Sequence, residues 1–173
     1  MKLTSVLATL AVGLLLQVVL ARFAVGGTWV FDLVLVAVVF AGLQWGPTAG
    51  LLAGTVGGLG QDLLSGGIVR ISGLAKTPVG LLSGVIGTQL VLVRPSGRAL
   101  VVAAATAVHR LLMMGVIALV EQHWSGTTWG AMLTEIALNT AAGYIVFQIV
   151  GALPGVMERQ RLSRRASFGR RQW

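Results

Sequence analysis

Long apolar runs broken by short polar interruptions organise this chain. Leu3–Ala21 carries no charge between Lys2 and Arg22, and Trp29–Trp45 is apolar apart from Asp32 near its start. Pro47–Leu64 is rich in glycine and holds one charge, Asp62, close to its end, while Gly73–Val93 has Lys76 and Pro78 near its start. Ala99–Val120 contains the pair His109–Arg110, and Met132–Leu153 contains Glu135. A helix that crosses a bilayer needs roughly 20 mostly apolar residues, so the pattern predicts six spanning helices with short connections. We expect an all-α membrane protein: residues 1–157 as a single transmembrane domain, a compact six-helix bundle, and residues 158–173 as a basic cytoplasmic tail.

Composition agrees. The 173 residues are 55% hydrophobic and only 10% charged, against about 25% charged in a typical soluble domain. There is no Cys, which excludes disulfides, thiolate metal sites and Cys nucleophiles. The first run has a second reading, because Lys2, an apolar core and Val19-Leu20-Ala21 before Arg22 have the order of a secretory signal. Its uncharged stretch exceeds the ~7–15 residues of a usual signal core, so a retained helix is expected.

Charge orients the bundle. With six spans, both ends share a side with the 46–47 turn and the Arg94–Arg98 loop. That side collects Lys2, Arg94, Arg98, Arg159, Arg161, Arg164, Arg165, Arg170 and Arg171, and the other holds Arg22 and Arg70. Lys and Arg stay on the cytoplasmic side, so both termini are expected there. Trp29, Trp45, Trp124 and Trp129 fall at span ends, where interfacial aromatics belong. The tail, with six Arg and one Glu, follows directly on a span. Its Arg159, Arg161, Arg164 and Arg165 are therefore read as contacts to membrane lipid, each worth roughly 1 kcal/mol near an anionic surface, rather than to nucleic acid.

Gly46, Gly50, Gly54 and Gly58 recur every four residues and form one stripe on the third span; Gly80 and Gly84 repeat the spacing on the fourth. Small residues so spaced let helix backbones approach closely, either within the chain or against a partner's helix. Ionisable residues at membrane depth are costly. Asp62 and Lys76 fall at neighbouring ends of consecutive spans and are expected to pair or to reach the headgroups. Arg110 sits near mid-span, and Glu135 and Asn139, at i and i+4 on the sixth span, are its expected partners. A proton path needs several acids in sequence, and the chain has five in all, so structural pairing is favoured.

Catalytic chemistry finds no foothold. His109 has no neighbouring Ser, Cys or second His and reads as a packed or hydrogen-bonded core residue. Gly58-Leu59-Gly60-Gln61-Asp62-Leu63 lacks the third glycine of a dinucleotide fingerprint, and Ala75-Lys76-Thr77 lacks the glycines of a phosphate loop. No enzyme activity, metal or cofactor is expected.

The segment Trp29–Gly87 carries a resemblance. A span opening Trp29-Val30-Phe31-Asp32-Leu33 runs into Gly46-Pro47-Thr48-Ala49-Gly50, then into the glycine-rich helix from Gly54 that ends Gln61-Asp62-Leu63-Leu64-Ser65-Gly66, with Gly73-Leu74 opening the next span. This order resembles MreD, the small integral membrane protein family of the bacterial rod-shape system. The likeness is detailed over about a third of the chain and elsewhere rests on length and span count; the half from Arg94 onward matches poorly by motif. Asp62 matches the family's acidic position after the glycine-rich helix. The resemblance implies a non-catalytic scaffold in the bacterial cytoplasmic (inner) membrane that binds MreC. It further implies a complex with RodA and a class B penicillin-binding transpeptidase, coupling MreB filaments to peptidoglycan synthesis. The glycine stripes are the expected contact for the MreC helix. The long arginine tail goes beyond the family pattern.

A different class stays open: a substrate-binding subunit of an energy-coupling-factor vitamin transporter, which has six short spans and a similar size. Ala37 and Ala41 would supply its small-residue contact. Such a pocket needs several convergent polar groups, and Asp32, Gln61, Asp62, Lys76 and Glu135 are a sparse set. A bundle similar to that of these subunits would not by itself separate the two classes.

Overall fold

The computed structural model describes residues 2–21, 31–64, 72–90, 94–121 and 129–152. Six α-helices account for nearly all of them: α1 (Lys2–Ala21), α2 (Leu33–Trp45), α3 (Pro47–Leu64), α4 (Ser72–Gln89), α5 (Pro95–Glu121) and α6 (Trp129–Ala152). The tail arginines 159, 161, 164 and 165, the loop residues Arg22 and Arg70, and Trp29 and Trp124 lie outside the described residues.

Three helices contain stretches long and apolar enough to cross a membrane: Leu3–Leu20, Pro95–Val116 and Trp129–Gly151. They mark the chain as an α-helical membrane protein. The second apolar run is shorter as a helix than its hydropathy implies. At about 1.5 Å per residue, the 13 residues of α2 extend only about 20 Å.

α2 is the central element. Val34 through Gly42 are all buried, which suits a sequence that is apolar all round, since such a helix is surrounded by protein or by lipid. One side packs against α1 and α3 through Val6, Leu10, Val34, Val38, Ala49 and Ala53. The opposite side packs against α4, α5 and α6 through Leu35, Val39, Phe40, Val79, Val102 and Phe147. Phe40 lies tilted on Phe147 with ring centroids 5.6 Å apart and meets Trp45 edge-on at 5.8 Å. The Arg98 guanidinium covers the other aromatic partner, 5.6 Å from the Phe147 centroid.

Local signals set the ends of α2. Asp32 caps its start, Oδ1 accepting from Leu35 N–H at 3.0 Å, as short acidic side chains do at helix N-termini. Gly46 ends it with φ +96°, a conformation that disfavours any Cβ. Pro47 then opens α3, at a position where its missing N–H costs nothing. Gly46 is therefore the turn between two helices and not the first member of a stripe within α3.

The two glycine stripes face each other. A Cβ at Gly50 would strike the Gly80 carbonyl, one at Gly54 the Lys76 carbonyl, one at Gly58 the Gly73 backbone, and one at Gly84 the Pro47 backbone. α3 and α4 thus run antiparallel in backbone contact, with both stripes used on one another, so the expected docking of a partner helix on either stripe is not where the glycines lead.

Candidate functional site

Helices α1 and α2 run antiparallel, as the paired contacts Gly13 with Ala37 and Gln17 with Leu33 show. So do α2 and α3, through Gly50 with Gly42 and Gly57 with Val34, and α3 and α4, through Gly50 with Gly80 and Gly58 with Gly73. Contacts of Gly143 with Val102 and Arg110 with Glu135 make α5 and α6 antiparallel as well, while α4 runs parallel to α2. The C-terminal halves of α1, α3 and α5 and the N-terminal halves of α2, α4 and α6 therefore meet at one end of the bundle. Nearly every buried polar side chain belongs to this end: Gln17, Asp32, Ser72, Lys76, His109, Glu135 and Asn139. Each of the six helices contributes to the layer, because α3 adds Gln61.

Asp32 is its centre. Its Oδ2 lies 2.7 Å from Lys76 Nζ of α4 and 3.6 Å from His109 Nε2 of α5. Its main-chain N–H donates to Asn139 Oδ1 of α6 at 2.9 Å. Gln17 of α1 holds the backbone on both sides, donating from Nε2 to the Phe31 carbonyl and accepting at Oε1 from Leu33 N–H, each at 2.8 Å. Lys76 is 1% exposed, and its ammonium also donates to Gln61 Oε1 at 2.7 Å. A buried charge is tolerable only when paired and hydrogen-bonded, and both conditions are met.

The glycine stripe makes this reach possible. At Gly54 the α3 backbone meets the main chain of Lys76 itself, so α4 lies close enough for one side chain to touch Gln61 of α3 and Asp32 of α2 together. Lys76 therefore does not pair with Asp62, and its ammonium is enclosed by protein rather than exposed at the surface. Asp62 lies one position beyond Gln61, about 100° further round a helix with 3.6 residues per turn, and its buried Oδ1 has no hydrogen-bond partner.

A second pair lies beside the first. Arg110 Nη1 is 3.3 Å from Glu135 Oε2, joining α5 to α6, with the arginine side chain one-third exposed. Asn139 does not share in this pair; its amide turns to the backbone of Asp32. His109 is buried, facing the Asp32 carboxylate.

Asp32 and Gln17 were the residues whose role pattern reading missed. An Asp directly before an apolar run is itself an N-cap signal, so Asp32 was findable as a cap. Gln17 offered only the oddity of one amide in an apolar stretch. Away from this layer, an apolar groove of about 320 Å³ runs between α1 and α6 over α2, lined by Val12, Leu16, Val36, Phe40, Val146 and Val150 among others.

No family model, curated protein or solved structure matches this chain.

Proposed function

We propose that the chain is a non-catalytic membrane scaffold of the MreD kind, binding MreC within the bacterial cell-elongation complex. One observation carries the reading. Within the segment with the resemblance, Trp29–Gly87, the described helices α3 and α4 touch backbone to backbone and the charges Asp32 and Lys76 answer one another. Such an arrangement makes a rigid body with aliphatic flanks: Leu51, Leu52, Val56 and Leu59 of α3 and Leu81, Leu82 and Val85 of α4 are exposed. A rigid body with apolar sides suits the lateral association of membrane helices, which relies on packing.

In this reading all six helices lie in the inner membrane with both termini cytoplasmic, and the polar layer lies toward the outer face. α2 can be short because protein, not lipid, surrounds it. α3 and α4 can be glycine-rich for the same reason along their shared face. A vitamin-binding subunit would direct unpaired polar groups into a cavity, whereas the 320 Å³ groove is apolar and the Asp32 and Lys76 charges are joined.

Affinity purification from native membranes in mild detergent, with mass spectrometry of the co-eluting proteins, tests the proposal. Recovery of MreC with RodA or its transpeptidase is the expected result. Recovery of a transporter's coupling subunit and ATPases would replace the scaffold by the vitamin-transport reading.

A further inference from the structure

The two faces of α6 are built differently. Its packed face carries Glu135, Asn139, Gly143 and Phe147, all buried. The face directly opposite, reached at about 100° per residue, carries Gly130, Thr134, Ala137, Ala141, Tyr144 and Gln148, all exposed. None of these six is a large aliphatic residue. The aliphatic side chains Leu133, Ile145 and Ile149 lie to either side of them and are exposed as well. A face that meets lipid alone has no cause to be small and polar along its centre and aliphatic at its edges. Small residues and polar side chains gather where membrane helices touch one another.

Spacing and chemistry together identify the occupant. The six residues follow one another at intervals of 4, 3, 4, 3 and 4, the period of a seam between two helices wound left-handed about each other. Gln148 Nε2 donates to Tyr144 Oη at 2.8 Å. An amide has two N–H donors and an acceptor oxygen, so Gln148 has a further donor and an acceptor to offer on this exposed face. In hydrocarbon such groups need a partner. Two copies inserted with the same topology present their α6 helices parallel and at equal depth, so each seam residue meets its own counterpart. An amide is complementary to itself, whereas the helix of another protein would have to carry a matching polar group at that one level. We infer that two copies of this chain associate in the membrane through this seam, α6 against α6, with Ala137 and Ala141 allowing close approach and the two Gln148 amides hydrogen-bonded to each other. Glu135 and Asn139 point the opposite way, so the contact leaves the polar layer as it is. The inference uses α6 alone and stands independently of the scaffold reading.

The chain has no cysteine, so single cysteines placed in the full-length protein report contact directly. Thr134→Cys, Ala137→Cys and Ala141→Cys, oxidised with copper phenanthroline in bacterial membranes, should each give a disulfide-linked dimer. Ala131→Cys and Ile149→Cys, exposed positions about 100° off the seam, should give little. No dimer at any seam position, equal dimer on and off the seam, or a covalent adduct with a different polypeptide in place of the dimer would each overturn the proposal. Energy transfer between labelled full-length copies in lipid bilayers supplies a second measurement. Wild-type copies should transfer above the level of random proximity, and Gln148→Leu should weaken dimerisation about three- to tenfold, the worth of an interhelical hydrogen bond in a membrane. Wild-type transfer at the random level, or association unchanged by Gln148→Leu, would also overturn it. The wild-type measurement decides the matter even where a variant fails to fold.

Discussion

The ammonium of Lys76, on α4, lies 2.7 Å from the carboxylate of Asp32, the residue that caps α2. This contact links the start of the central helix to the helix pair built on glycine. The same carboxylate caps, neutralises and faces His109, so its loss has several consequences at once.

Asp32→Leu leaves a lysine that is 1% exposed without its counter-charge, and breaking a buried pair from one side costs about 3–5 kcal/mol. Thermal unfolding in mild detergent should show a large drop in Tm. Combining Asp32→Leu with Lys76→Met removes both charges and should recover much of that drop. A double variant as unstable as the summed single variants would show that the pair is not the coupled unit.

Asp62→Asn should not lower the melting temperature, because it removes a charge whose buried Oδ1 has no hydrogen-bond partner. Lys76 has its partners in Asp32 and Gln61, so Asp62 has no charge of that residue to balance. A clear loss of stability on this substitution would place a function on Asp62 that its surroundings do not show.

Two glycines separate close packing from helix propensity. A Cβ at Gly54 meets the Lys76 carbonyl and the Thr77 backbone, which cannot yield as a side-chain tip can. Gly54→Ala should force α3 and α4 apart, displace Lys76 from Asp32 and lower folded yield. Gly115 on α5 has nothing within 4 Å of an added Cβ, and Gly115→Ala should stabilise by about 0.5–1 kcal/mol, as expected for an unobstructed helix interior. Yield and Tm of the two variants, measured side by side, check the contrast.

Gln17→Leu removes both hydrogen bonds that hold the Phe31 carbonyl and the Leu33 N–H. A buried backbone group left unsatisfied costs about 1–3 kcal/mol and these two are partly buried, so Tm should fall although the substitution raises hydrophobicity. A rise in Tm would mean that the α1 contact to this strip of backbone is dispensable.

Helices were legible because their signal is local. Apolar runs, the proline at the start of α3 and the glycine before it place α1, α2, α3, α4, α5 and α6 close to where they are found. The facing of Arg110 and Glu135 was legible as well, because two charges within adjacent apolar spans have few alternatives to one another. The lengths of α2 and α4 were less so. Hydropathy continues through Trp29 and Val93, whereas the described helices run from Leu33 and to Gln89.

The partner of Lys76 belonged to the tertiary structure. Along the chain Asp62 is the nearer acid, and proximity in sequence made it the natural counter-ion. In the bundle, helix direction and backbone contact at Gly54 carry the ammonium inward to Asp32. The use of the glycine stripes was decided in the same way. Spacing alone shows that a helix can be approached closely, and it is silent about which helix does so. Apolar content and capping act within a few residues and can be read from them. Which buried charge meets which depends on how α2 is enclosed by its neighbours, a property of the packed whole.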